Sequence, residues 1–558
     1  MIKSVPDDRV LIVENLSVGV VGANPAHQVV RNVSFGVGPG ETLCIVGESG
    51  SGKSVTSLSV MGLLPKDALS PKSGRILLQG DDVLQASERR LQEMRATRMA
   101  MIFQEPMTAL NPVETVGEQI DEVLRIHGSW SRQERREKVL DMLNSVHMPD
   151  VKAIYRAYPH QLSGGQRQRI VISMALILQP KLLIADEPTT ALDVTTQKQI
   201  LLLIRELQEQ HDTAVMFITH DFGVVAEIAD RIVVMNQGEV VEMNDRDGIL
   251  ARPAEPYTRM LVSSVPSLIP NKRAAQQGKI VLDVARLDKT YAEKRLFRAG
   301  RTVAAVQSVS FTLRRGEIVG VVGESGSGKS SLARCVVRLI TPTAGVILIN
   351  GVDVAAMPHD QMRSMRNRIQ IVFQDPYRSL NPRVRVADSI IEGLINFGVS
   401  RRDALIKARE LVQVVGLDAS VLDRYPHQFS GGQRQRICIA RALALEPDIL
   451  VADEAVSALD VSVQAQVLRL LDEIRERTGI AVLFITHDLR VAAQICDTIV
   501  VMQNGRVVEA GPAEKVLTSP EQAYTRALIE AAPGRDWDFQ NFRPLDEAGK
   551  GLAAEVQP

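Results

Sequence analysis

The feature that most constrains this chain is an internal repeat with a period of about 270 residues. The octapeptide GESGSGKS occurs at 47–54 and again at 323–330, which is 276 positions later. YPHQLSGGQRQRI at 158–170 returns as YPHQFSGGQRQRI at 425–437, with an offset of 267. Solenoids and propellers repeat every 20 to 50 residues or so, and this period is far longer. The sequence therefore predicts two copies of a whole domain.

The repeat also sets the domain boundaries. We predict a first domain over 1–265, a linker over 266–280, a second domain over 281–532 and a polar tail over 533–558. The linker is polar and has neither helical nor strand periodicity. A chain of 558 residues is too long for one hydrophobic core, which agrees with this division. We expect the polar tail to be mobile.

Within each half, the pattern of apolar residues predicts an α/β fold. Short continuous apolar runs at 42–46, 182–186 and 215–219 are typical of strands that are buried on both faces of a sheet. Between residues 110 and 160 the pattern becomes helical. We therefore predict two tandem domains, each with a mixed-sheet core and a helical insertion subdomain.

The start of a helix in each insertion can be read from its capping residues. Ser131 and Glu134 have the spacing of a capping box ahead of an apolar-periodic helix. Ser400 and Asp403 mark the same start in the second half, and Gly416 is a candidate C-cap.

Charge, cysteine usage and hydropathy exclude several classes of protein. The formal charge is −1, whereas nucleic-acid binders usually have a basic balance or stripe. The four cysteines lie apart, without a C-x-x-C pair, so we predict neither a disulfide framework nor a zinc site. The N-terminus carries acids where a signal peptide has its apolar core, and no apolar run approaches 18 residues. Any role at a membrane is therefore expected to depend on partners.

The repeated octapeptide has the pattern of a phosphate-binding loop, G-x-x-x-x-G-K-[ST]. Its glycines let successive backbone N–H groups face phosphate oxygens, and the following helix N-terminus adds positive charge. The lysine reaches the β- and γ-phosphates, while the last serine offers a hydroxyl to Mg²⁺. A chance glycine-rich turn is the alternative, but each copy follows a strand-like run and precedes a helical one. The predicted phosphate-binding residues are Gly47, Glu48, Ser49, Gly50, Ser51, Gly52, Lys53, Ser54, Gly323, Glu324, Ser325, Gly326, Ser327, Gly328, Lys329 and Ser330.

Paired carboxylates end an apolar strand in each half. Asp186-Glu187 and Asp453-Glu454 occupy these positions. The aspartate of such a pair can hold Mg²⁺, and the glutamate can polarise an attacking water. A lone pair of this kind is more often a solvated turn. A phosphate loop in the same domain favours the catalytic interpretation, with ATP and Mg²⁺ as cofactors.

The motifs LSGGQ and FSGGQ resemble the signature of ATP-binding-cassette (ABC) ATPases. In that family the motif opens a helix and offers its serine hydroxyl and amides to a γ-phosphate. The resemblance extends over nearly the whole chain. The matching residues are Ser163, Gly164, Gly165 and Gln166 in the first half and Ser430, Gly431, Gly432 and Gln433 in the second.

The same resemblance implies roles for further residues. Gln104 and Gln374 match the glutamine loop, which senses Mg²⁺, water and the membrane partner. Asp193 and Asp460 match the loop that communicates across the cassette dimer. His220 and His487 match the switch histidine at the γ-phosphate, although a lone strand-end histidine is usually structural. The implied Mg²⁺ residues are Ser54, Gln104, Asp186, Ser330, Gln374 and Asp453.

The resemblance further implies that the two halves meet head to tail and enclose two ATP sites. One site pairs Lys53 with Ser430, and the other pairs Lys329 with Ser163. An aromatic residue that stacks on adenine is expected near the start of each cassette. Tyr291 stands there in the second half, whereas Val20 occupies the matching position in the first. A nearby residue could substitute, and the candidates are Pro25 and His27.

Two features point to one branch of the family. FQEPMTALNP at 103–112 and FQDPYRSLNP at 373–382 resemble the glutamine loops of peptide and nickel importers. PYTRMLVSSVP at 256–266 and AYTRALIEAAP at 523–533 resemble the C-terminal extension of oligopeptide and dipeptide importers. A fused pair is most similar to the YejF-type subunit of peptide and microcin C importers, followed by a glutathione-type fused subunit. The extensions lack the cysteines that an iron–sulfur centre would need.

The resemblance thus implies an ATPase that powers uptake of peptides or peptide-like compounds. The implied partners are two integral membrane permeases and, indirectly, an extracytoplasmic substrate-binding protein, at the cytoplasmic face of a bacterial inner membrane. One fused chain would supply both cassettes. Alternative cargoes are glutathione and nickel. Twin-cassette ATPases that act on ribosomes or nucleic acid are a second class, but they carry a long charged arm between the cassettes, and this linker is too short for one.

Overall fold

The computed structural model forms two compact units. Unit 1 comprises the described residues up to Val265 together with Asp536–Pro544, and unit 2 comprises those of Pro266–Arg535 and Leu545. Pro25 and the tail beyond residue 545 lie outside the described residues. The structure describes residues 9–22, 27–104, 109–190, 192–271, 273, 278–292, 302–457 and 459–545.

Unit 1 is built on two sheets. The larger has six strands in the order β10-β9-β3-β8-β7-β6, in which β9 and β10 are antiparallel and the other neighbours are parallel. The smaller is antiparallel, in the order β2-β1-β4-β5. Its strands and those of the larger sheet are β1 (Leu11–Val20), β2 (Gln28–Val37), β3 (Thr42–Val46), β4 (Leu69–Leu78), β5 (Asp81–Asp82), β6 (Met99–Ile102), β7 (Leu182–Asp186), β8 (Ala214–Ile218), β9 (Arg231–Asn236) and β10 (Glu239–Asp245).

Helices flank these sheets and form the insertion between β6 and β7. A 3₁₀ turn at Pro159–Gln161 precedes the long helix of the signature motif. The helices are α1 (Lys53–Val60), α2 (Glu88–Met94), α3 (Val116–His127), α4 (Arg132–Ser145), α5 (Val151–Tyr155), α6 (Gly164–Leu176), α7 (Val194–His211), α8 (Phe222–Ile228), α9 (Arg246–Ala251) and α10 (Pro256–Ser263).

Unit 2 repeats both sheets. Its six-stranded sheet has the order β16-β17-β18-β13-β19-β20, and its antiparallel sheet has the order β12-β11-β14-β15. The strands are β11 (Ile280–Ala292), β12 (Thr302–Arg314), β13 (Ile318–Val322), β14 (Ala344–Ile349), β15 (Val352–Asp353), β16 (Ile369–Val372), β17 (Ile449–Asp453), β18 (Ala481–Ile485), β19 (Thr498–Gln503) and β20 (Arg506–Pro512).

The helices of unit 2 follow the same succession. Two 3₁₀ segments, Ala419–Asp423 and Pro426–Gln428, lie before the signature helix. The helices are α11 (Lys329–Val336), α12 (His359–Met365), α13 (Pro376–Ser379), α14 (Val386–Asn396), α15 (Arg401–Val414), α16 (Gly431–Leu443), α17 (Val461–Thr478), α18 (Leu489–Ile495), α19 (Ala513–Thr518) and α20 (Ala523–Ala531).

The predicted fold class is confirmed, since each unit has a mixed sheet and a helical insertion. Strands β3, β7 and β8 are buried at every position, as their uninterrupted apolar runs require. The third run begins and ends one residue earlier than predicted. The backbone N–H of Thr219 bonds to the carbonyl of Ile45, but the chain leaves the ladder there to form a turn.

The predicted helix starts are present in both insertions. Ser131 accepts a bond from the backbone N–H of Glu134, and Glu134 accepts one from the N–H of Ser131. Ser400 likewise accepts from the N–H of Asp403. The C-cap of that helix is Val415, and Gly416 follows it with a φ of 70°, a left-handed conformation that favours glycine.

The arrangement of parallel strands determines where functional side chains can gather. In unit 1, Asp186 pairs with Ile218 at the ends of β7 and β8, and Ile102 pairs with Ala185. The loops that follow β3, β6, β7 and β8 therefore leave the sheet at the same edge. Ligands of open α/β sheets bind at this carboxyl edge.

A short segment near the end of the chain packs within unit 1. It consists of β21 (Trp537–Asp538), a 3₁₀ turn at Phe539–Asn541 and β22 (Arg543–Pro544). Phe539 is 1% exposed, and the buried carboxylate of Asp538 accepts a bond from Asn541. Part of the segment predicted as a polar tail thus forms ordered structure.

Among the described residues, no helix has the length and apolar character that crossing a membrane requires.

The core of unit 1 supports a first prediction. Phe217 lies in the middle of β8 and is fully buried. Phe217→Ala should lower the stability of unit 1 by about 3–5 kcal/mol, because it removes a buried ring and leaves a cavity. Hydrogen exchange of the β3, β7 and β8 amides measures this loss. The control is Leu202→Ala, since Leu202 is 57% exposed on α7 and its loss should change little. A cost below 1 kcal/mol for Phe217→Ala would contradict the prediction.

Candidate functional site

The phosphate loop of unit 1 joins β3 to α1 in a conformation that needs glycine. Gly47 has a φ of 150°, and a Cβ there would lie 2.2 Å from the carbonyl oxygen of Met235. Gly52 has a φ of 98° and immediately precedes the helix. Gly323 and Gly328 repeat both features in unit 2, with φ of 149° and 104°. The backbone is thereby bent so that the loop curls over the start of the helix.

The lysine of each loop is buried beneath it. Lys53 is 7% exposed, and its Nζ donates to the carbonyl oxygens of Gly47 at 2.7 Å and Glu48 at 2.9 Å. Lys329 is 5% exposed and donates to the corresponding carbonyls of Gly323 and Glu324 at 2.7 and 2.8 Å. The positive charge that would meet a phosphate is therefore fixed by the loop itself.

A buried aspartate lies next to the last serine of each loop. Burial raises the pKa of Asp186, while a hydrogen bond from Ser54 opposes that rise. In unit 2 the Oγ of Ser330 lies 3.3 Å from Oδ1 of Asp453, and burial likewise raises the pKa of Asp453. A buried carboxylate is stabilised in its charged form by a nearby cation. The hydroxyl and carboxylate oxygens are donors that suit Mg²⁺.

The glutamate after β7 is the centre of a hydrogen-bonded group in unit 1. Its Oε2 accepts from Gln104 Nε2 at 2.9 Å and from Thr190 Oγ1 at 3.0 Å, and its Oε1 lies 3.0 Å from His220 Nδ1. Burial opposes ionisation of Glu187, but the bond and charge of His220, the bond from Thr190 and the charge of Lys53 together outweigh it and lower the pKa of Glu187 to about 2. The side chain is therefore a carboxylate at neutral pH.

Unit 2 contains the same group with small differences. Gln374 Nε2 donates to Glu454 Oε2 at 2.9 Å, and His487 Nδ1 lies 3.4 Å from that oxygen. Burial again opposes ionisation, and the bond with His487 lowers the pKa of Glu454. Burial also disfavours a charged His487, but Glu454 raises the pKa of this imidazole. Gln374 lies 3.4 Å from Ser457 Oγ as well.

Both glutamates have an unusual backbone conformation. Glu187 and Glu454 each have a φ of 48°, in the left-handed region that residues with a side chain rarely adopt. Such strained positions cluster at functional sites. The turn directs each carboxylate toward the glutamine and histidine that follow neighbouring strands.

The signature residues begin helices α6 and α16. Ser163 Oγ accepts from the N–H of Gln166 at 3.2 Å, and Gln166 Oε1 accepts from the N–H of Ser163. Ser430 and Gln433 form the same capping box. Gly164 and Gly165 start the first helix, and Gly431 and Gly432 start the second. These hydrogen bonds of Ser163 and Ser430 lie within their own helix starts.

The dimer-loop aspartates also lie at helix starts. Asp193 is the N-cap of α7, and its Oδ1 accepts from the N–H of Thr196 at 2.9 Å. Asp460 occupies the N-cap position of α17.

The two predicted adenine positions differ in the structure as in the sequence. Tyr291 lies near the end of β11 with its hydroxyl 3.4 Å from Ser331 Oγ, which directly follows the phosphate loop. Lys289 Nζ lies 5.0 Å from the centre of its ring. Val20 ends β1 and is 38% exposed. His27 is exposed, and its carbonyl accepts from the N–H of Val20 at 3.4 Å.

In each unit the structure brings together the phosphate loop, the aspartate, the glutamate, the glutamine and the histidine. Sequence reasoning missed Thr190 and Ser457, which contact this group. They lie three residues after each glutamate in the motif, and that spacing was the available signal. In the described part of the chain, no cluster of three His, Cys, Asp or Glu side chains could hold a metal ion.

Two family models match the chain. The model described as "ABC transporter" matches residues 30–190 and 306–457. The model described as "Oligopeptide/dipeptide transporter, C-terminal region" matches residues 241–298 and 508–549. Each model matches one segment in each half of the chain.

Known proteins match over almost the whole chain. "Glutathione import ATP-binding protein GsiA" of Escherichia coli strain K12 is 47% identical over 558 residues, covering 94% of this chain and 90% of the relative. The protein of that name from Pectobacterium atrosepticum is 45% identical, covering 95% and 90%. Among solved structures, the dimeric ATP-binding cassette MJ0796 bound to ADP and Pi is 29% identical, with a TM-score of 0.38, covering 42% of this chain and 98% of that one.

These matches confirm the predicted family and the importer branch. The relatives named are of the fused glutathione type, the second of the two fused types that the sequence resembles.

Proposed function

Because this chain belongs to the ABC transporter family, we propose that it hydrolyses ATP to power uptake of peptides or peptide-like compounds through partner membrane permeases. The observation that carries this proposal is the group at the carboxyl edge of each six-stranded sheet. There a buried lysine under a phosphate loop, a buried aspartate and a hydrogen-bonded glutamate occur together in both units. Two such groups in one chain support two ATP sites.

The phosphate loops would bind the β- and γ-phosphates of ATP. Their backbone N–H groups and the N-termini of α1 and α11 provide positive potential, and Lys53 and Lys329 add a full charge. Ser54 with Asp186, and Ser330 with Asp453, would hold Mg²⁺, with Gln104 and Gln374 contributing an amide oxygen. When bound, the ion neutralises charge that develops on the phosphates. The oxygen-only donor set fits this metal.

The glutamates would orient and polarise the attacking water. A pKa of about 2 keeps Glu187 ionised at neutral pH, so it can accept a hydrogen bond from water. A carboxylate with so low a pKa is a weak base, and we therefore assign it orientation rather than complete removal of a proton. His220 and His487 would hold the glutamates in place and contact the γ-phosphate. This arrangement amounts to positioning plus charge stabilisation, which is how phosphoryl transfer is catalysed.

Further parts of the proposal rest on the family. We propose that the two halves act as one ATPase pair, in which Ser163 and Ser430 serve the nucleotide held by the opposite half, and Asp193 and Asp460 communicate between the sites. The partners would be two permeases and, indirectly, a substrate-binding protein, at the cytoplasmic face of a bacterial inner membrane.

The cargo follows from the branch. The C-terminal region matched in both halves is that of oligopeptide and dipeptide transporters, and the named relatives are glutathione import proteins. Glutathione is itself a small peptide, so both comparisons support a peptide-like cargo. Selection among such cargoes would belong to the permeases and the binding protein. The matched extensions also favour an importer over a ribosome-acting ATPase.

The assignment of the catalytic carboxylates can be tested directly. Glu187→Gln combined with Glu454→Gln should lower ATP turnover by roughly 10²- to 10⁴-fold, because the attacking water loses its carboxylate. ATP binding should persist, since the loops and their lysines are unchanged. Phosphate release and retention of labelled ATP measure the two effects. Glu137→Gln with Glu410→Gln, two exposed positions, is the matched control. A double variant that keeps half the wild-type rate would refute the assignment.

The proposed partners can be identified by cross-linking. All four native cysteines are buried, so an introduced surface cysteine would be the accessible thiol. Tyr377 follows Gln374 and is 62% exposed, and Tyr377→Cys should cross-link to an integral membrane protein in cells. Leu202→Cys, exposed on α7, is the control and should not. Purification of the tagged chain should recover two permeases. Stable association with ribosomes or DNA and with no membrane protein would contradict the proposal.

We propose, finally, that the two ATP sites bind nucleotide unequally. Stacking of a base on an aromatic ring contributes about 1–3 kcal/mol in nucleic-acid binders, which corresponds to a roughly five- to hundredfold change in affinity. Val20 still offers apolar contact, so we expect the low end of that range. Lys53→Ala leaves the site with Tyr291, which should bind ATP more tightly than the site left by Lys329→Ala. Val20→Tyr should narrow the difference, and equal affinities would refute the idea.

A further inference from the structure

We propose that Tyr257 and Tyr524 are positioning residues through which the C-terminal extensions hold the phosphate loops in shape for nucleotide. Each tyrosine lies in the extension helix of its own half, far from the loop in sequence. The inference rests on the proposed function, because it takes the loops to be nucleotide sites. It adds a role for the extensions, which the motifs of the cassette do not include.

In unit 1 the contact joins two side chains. The hydroxyl of Tyr257 lies 3.3 Å from Oε2 of Glu48, and a phenol beside a carboxylate is the donor. Both side chains are partly buried. Glu48 is the second residue of the phosphate loop, and its carbonyl oxygen accepts the bond from Lys53. Tyr257 thus contacts the residue whose carbonyl oxygen holds Lys53, the lysine that would bind phosphate.

In unit 2 the matching tyrosine reaches the same point by another atom. The backbone N–H of Glu324 donates to the hydroxyl of Tyr524 at 3.2 Å. Glu324 corresponds to Glu48, and its carbonyl accepts from Lys329 at 2.8 Å. Both halves carry Tyr-Thr-Arg at this point, and both bring a phenol to the second residue of the loop. The repetition argues for a selected contact.

The extension helix holds each tyrosine firmly. In unit 1, Glu242 of β10 accepts from the N–H groups of Ala254 at 2.8 Å and Glu255 at 3.1 Å, directly before α10. Pro256 opens the helix, and Thr258 beside the tyrosine is fully buried. The strand that borders the sheet therefore fixes the position of the tyrosine.

The extension of unit 2 is fixed in the same way. Glu509 of β20 accepts from the N–H of Glu521 at 2.8 Å and of Gln522 at 3.2 Å, directly before α20. Thr525 is fully buried beside Tyr524. In both units, a glutamate of the edge strand thus binds the backbone directly before the helix that bears the tyrosine.

The contact lies directly before the exposed part of the loop. Gly47 packs against the carbonyl of Met235, and Ser51 accepts through its carbonyl from the N–H of Gly238 at 3.1 Å. Between these points Ser49 and Gly50 are exposed, and a Cβ at Gly50 would meet nothing within 4 Å. The hydrogen bond from Tyr257 restrains Glu48, the residue directly before this exposed pair. A loop held in its binding conformation loses less entropy when it closes on phosphate.

This geometry predicts an effect on nucleotide affinity rather than on folding. Tyr257→Phe keeps the ring and its packing and removes only the hydroxyl. Loss of one hydrogen bond of this kind should weaken binding at the affected site by roughly three- to tenfold. The maximal rate should change little, because the loop reaches the same closed shape once ATP is bound. A purely structural role would instead lower the unfolding temperature and leave affinity unchanged.

The experiment measures each site separately in the full chain. Calorimetry with Mg²⁺ and ADP is carried out on Lys329→Ala with and without Tyr257→Phe, and on Lys53→Ala with and without Tyr524→Phe. We expect the dissociation constant to rise three- to tenfold in each comparison, with an unchanged unfolding temperature in the absence of nucleotide. Tyr155→Phe is the matched control, since Tyr155 is also partly buried and lies in the helical insertion.

A double-variant cycle identifies the partner in unit 1. If the phenol acts through the Glu48 carboxylate, Tyr257→Phe should cost less in the presence of Glu48→Gln than alone. The inference would be overturned if Tyr257→Phe and Tyr524→Phe had the same dissociation constants as Tyr155→Phe. This holds both when no variant loses affinity and when all of them lose it equally. Failure of the unsubstituted chain to bind ADP or ATP would instead refute the proposed function, so the two failures are distinguishable.

Discussion

The buried lysine under each phosphate loop is the interaction on which the rest of the site depends. An ammonium group that is only 7% or 5% exposed must be hydrogen-bonded, because an unpaired buried charge is very costly. Lys53 and Lys329 find their partners in carbonyls of their own loops. Those carbonyls face the lysine only because the glycines of the loop adopt positive φ. The close approach of β9 in turn requires glycine at position 47, because a Cβ there would meet the carbonyl oxygen of Met235.

The two carboxylates at the end of β7 and of β17 have pKa values that are shifted in opposite directions. Burial raises the pKa of Asp186, whereas His220, Thr190 and Lys53 together overcome burial and lower the pKa of its neighbour Glu187. Two adjacent carboxylates can therefore have different roles. The aspartate favours a cation, and the glutamate is a stable anion that can orient water. Glu187 adopts a left-handed backbone conformation, and strained positions of this kind cluster at functional sites.

The two units share the main interactions of the site, but several individual contacts differ between them. Both units keep the sheet order, the buried lysine and the glutamate with its glutamine and histidine. The differences lie around these shared features: a threonine contacts Glu187, whereas Ser457 contacts Gln374, and Tyr291 corresponds to Val20. The tyrosines of the extensions use different loop atoms. Such changes leave the fold intact, since they involve partly exposed side chains at the edge of the sheet.

The sequence by itself determined the features that are local or repeated. Several features could be predicted from neighbouring residues alone, and the structure contains them all. They are the two GESGSGKS loops, the apolar runs of β3 and β7 and the Ser131 capping box. The strand order, which places Gln104, Glu187 and His220 at one edge of the sheet, came from the tertiary structure. Only the tertiary structure decided the atoms that meet. Tyr257 and Glu48 are 209 residues apart, and Phe539 is buried within the first unit although it lies near the end of the chain. Contacts of this kind depend on packing between distant segments, and local periodicity carries no information about them.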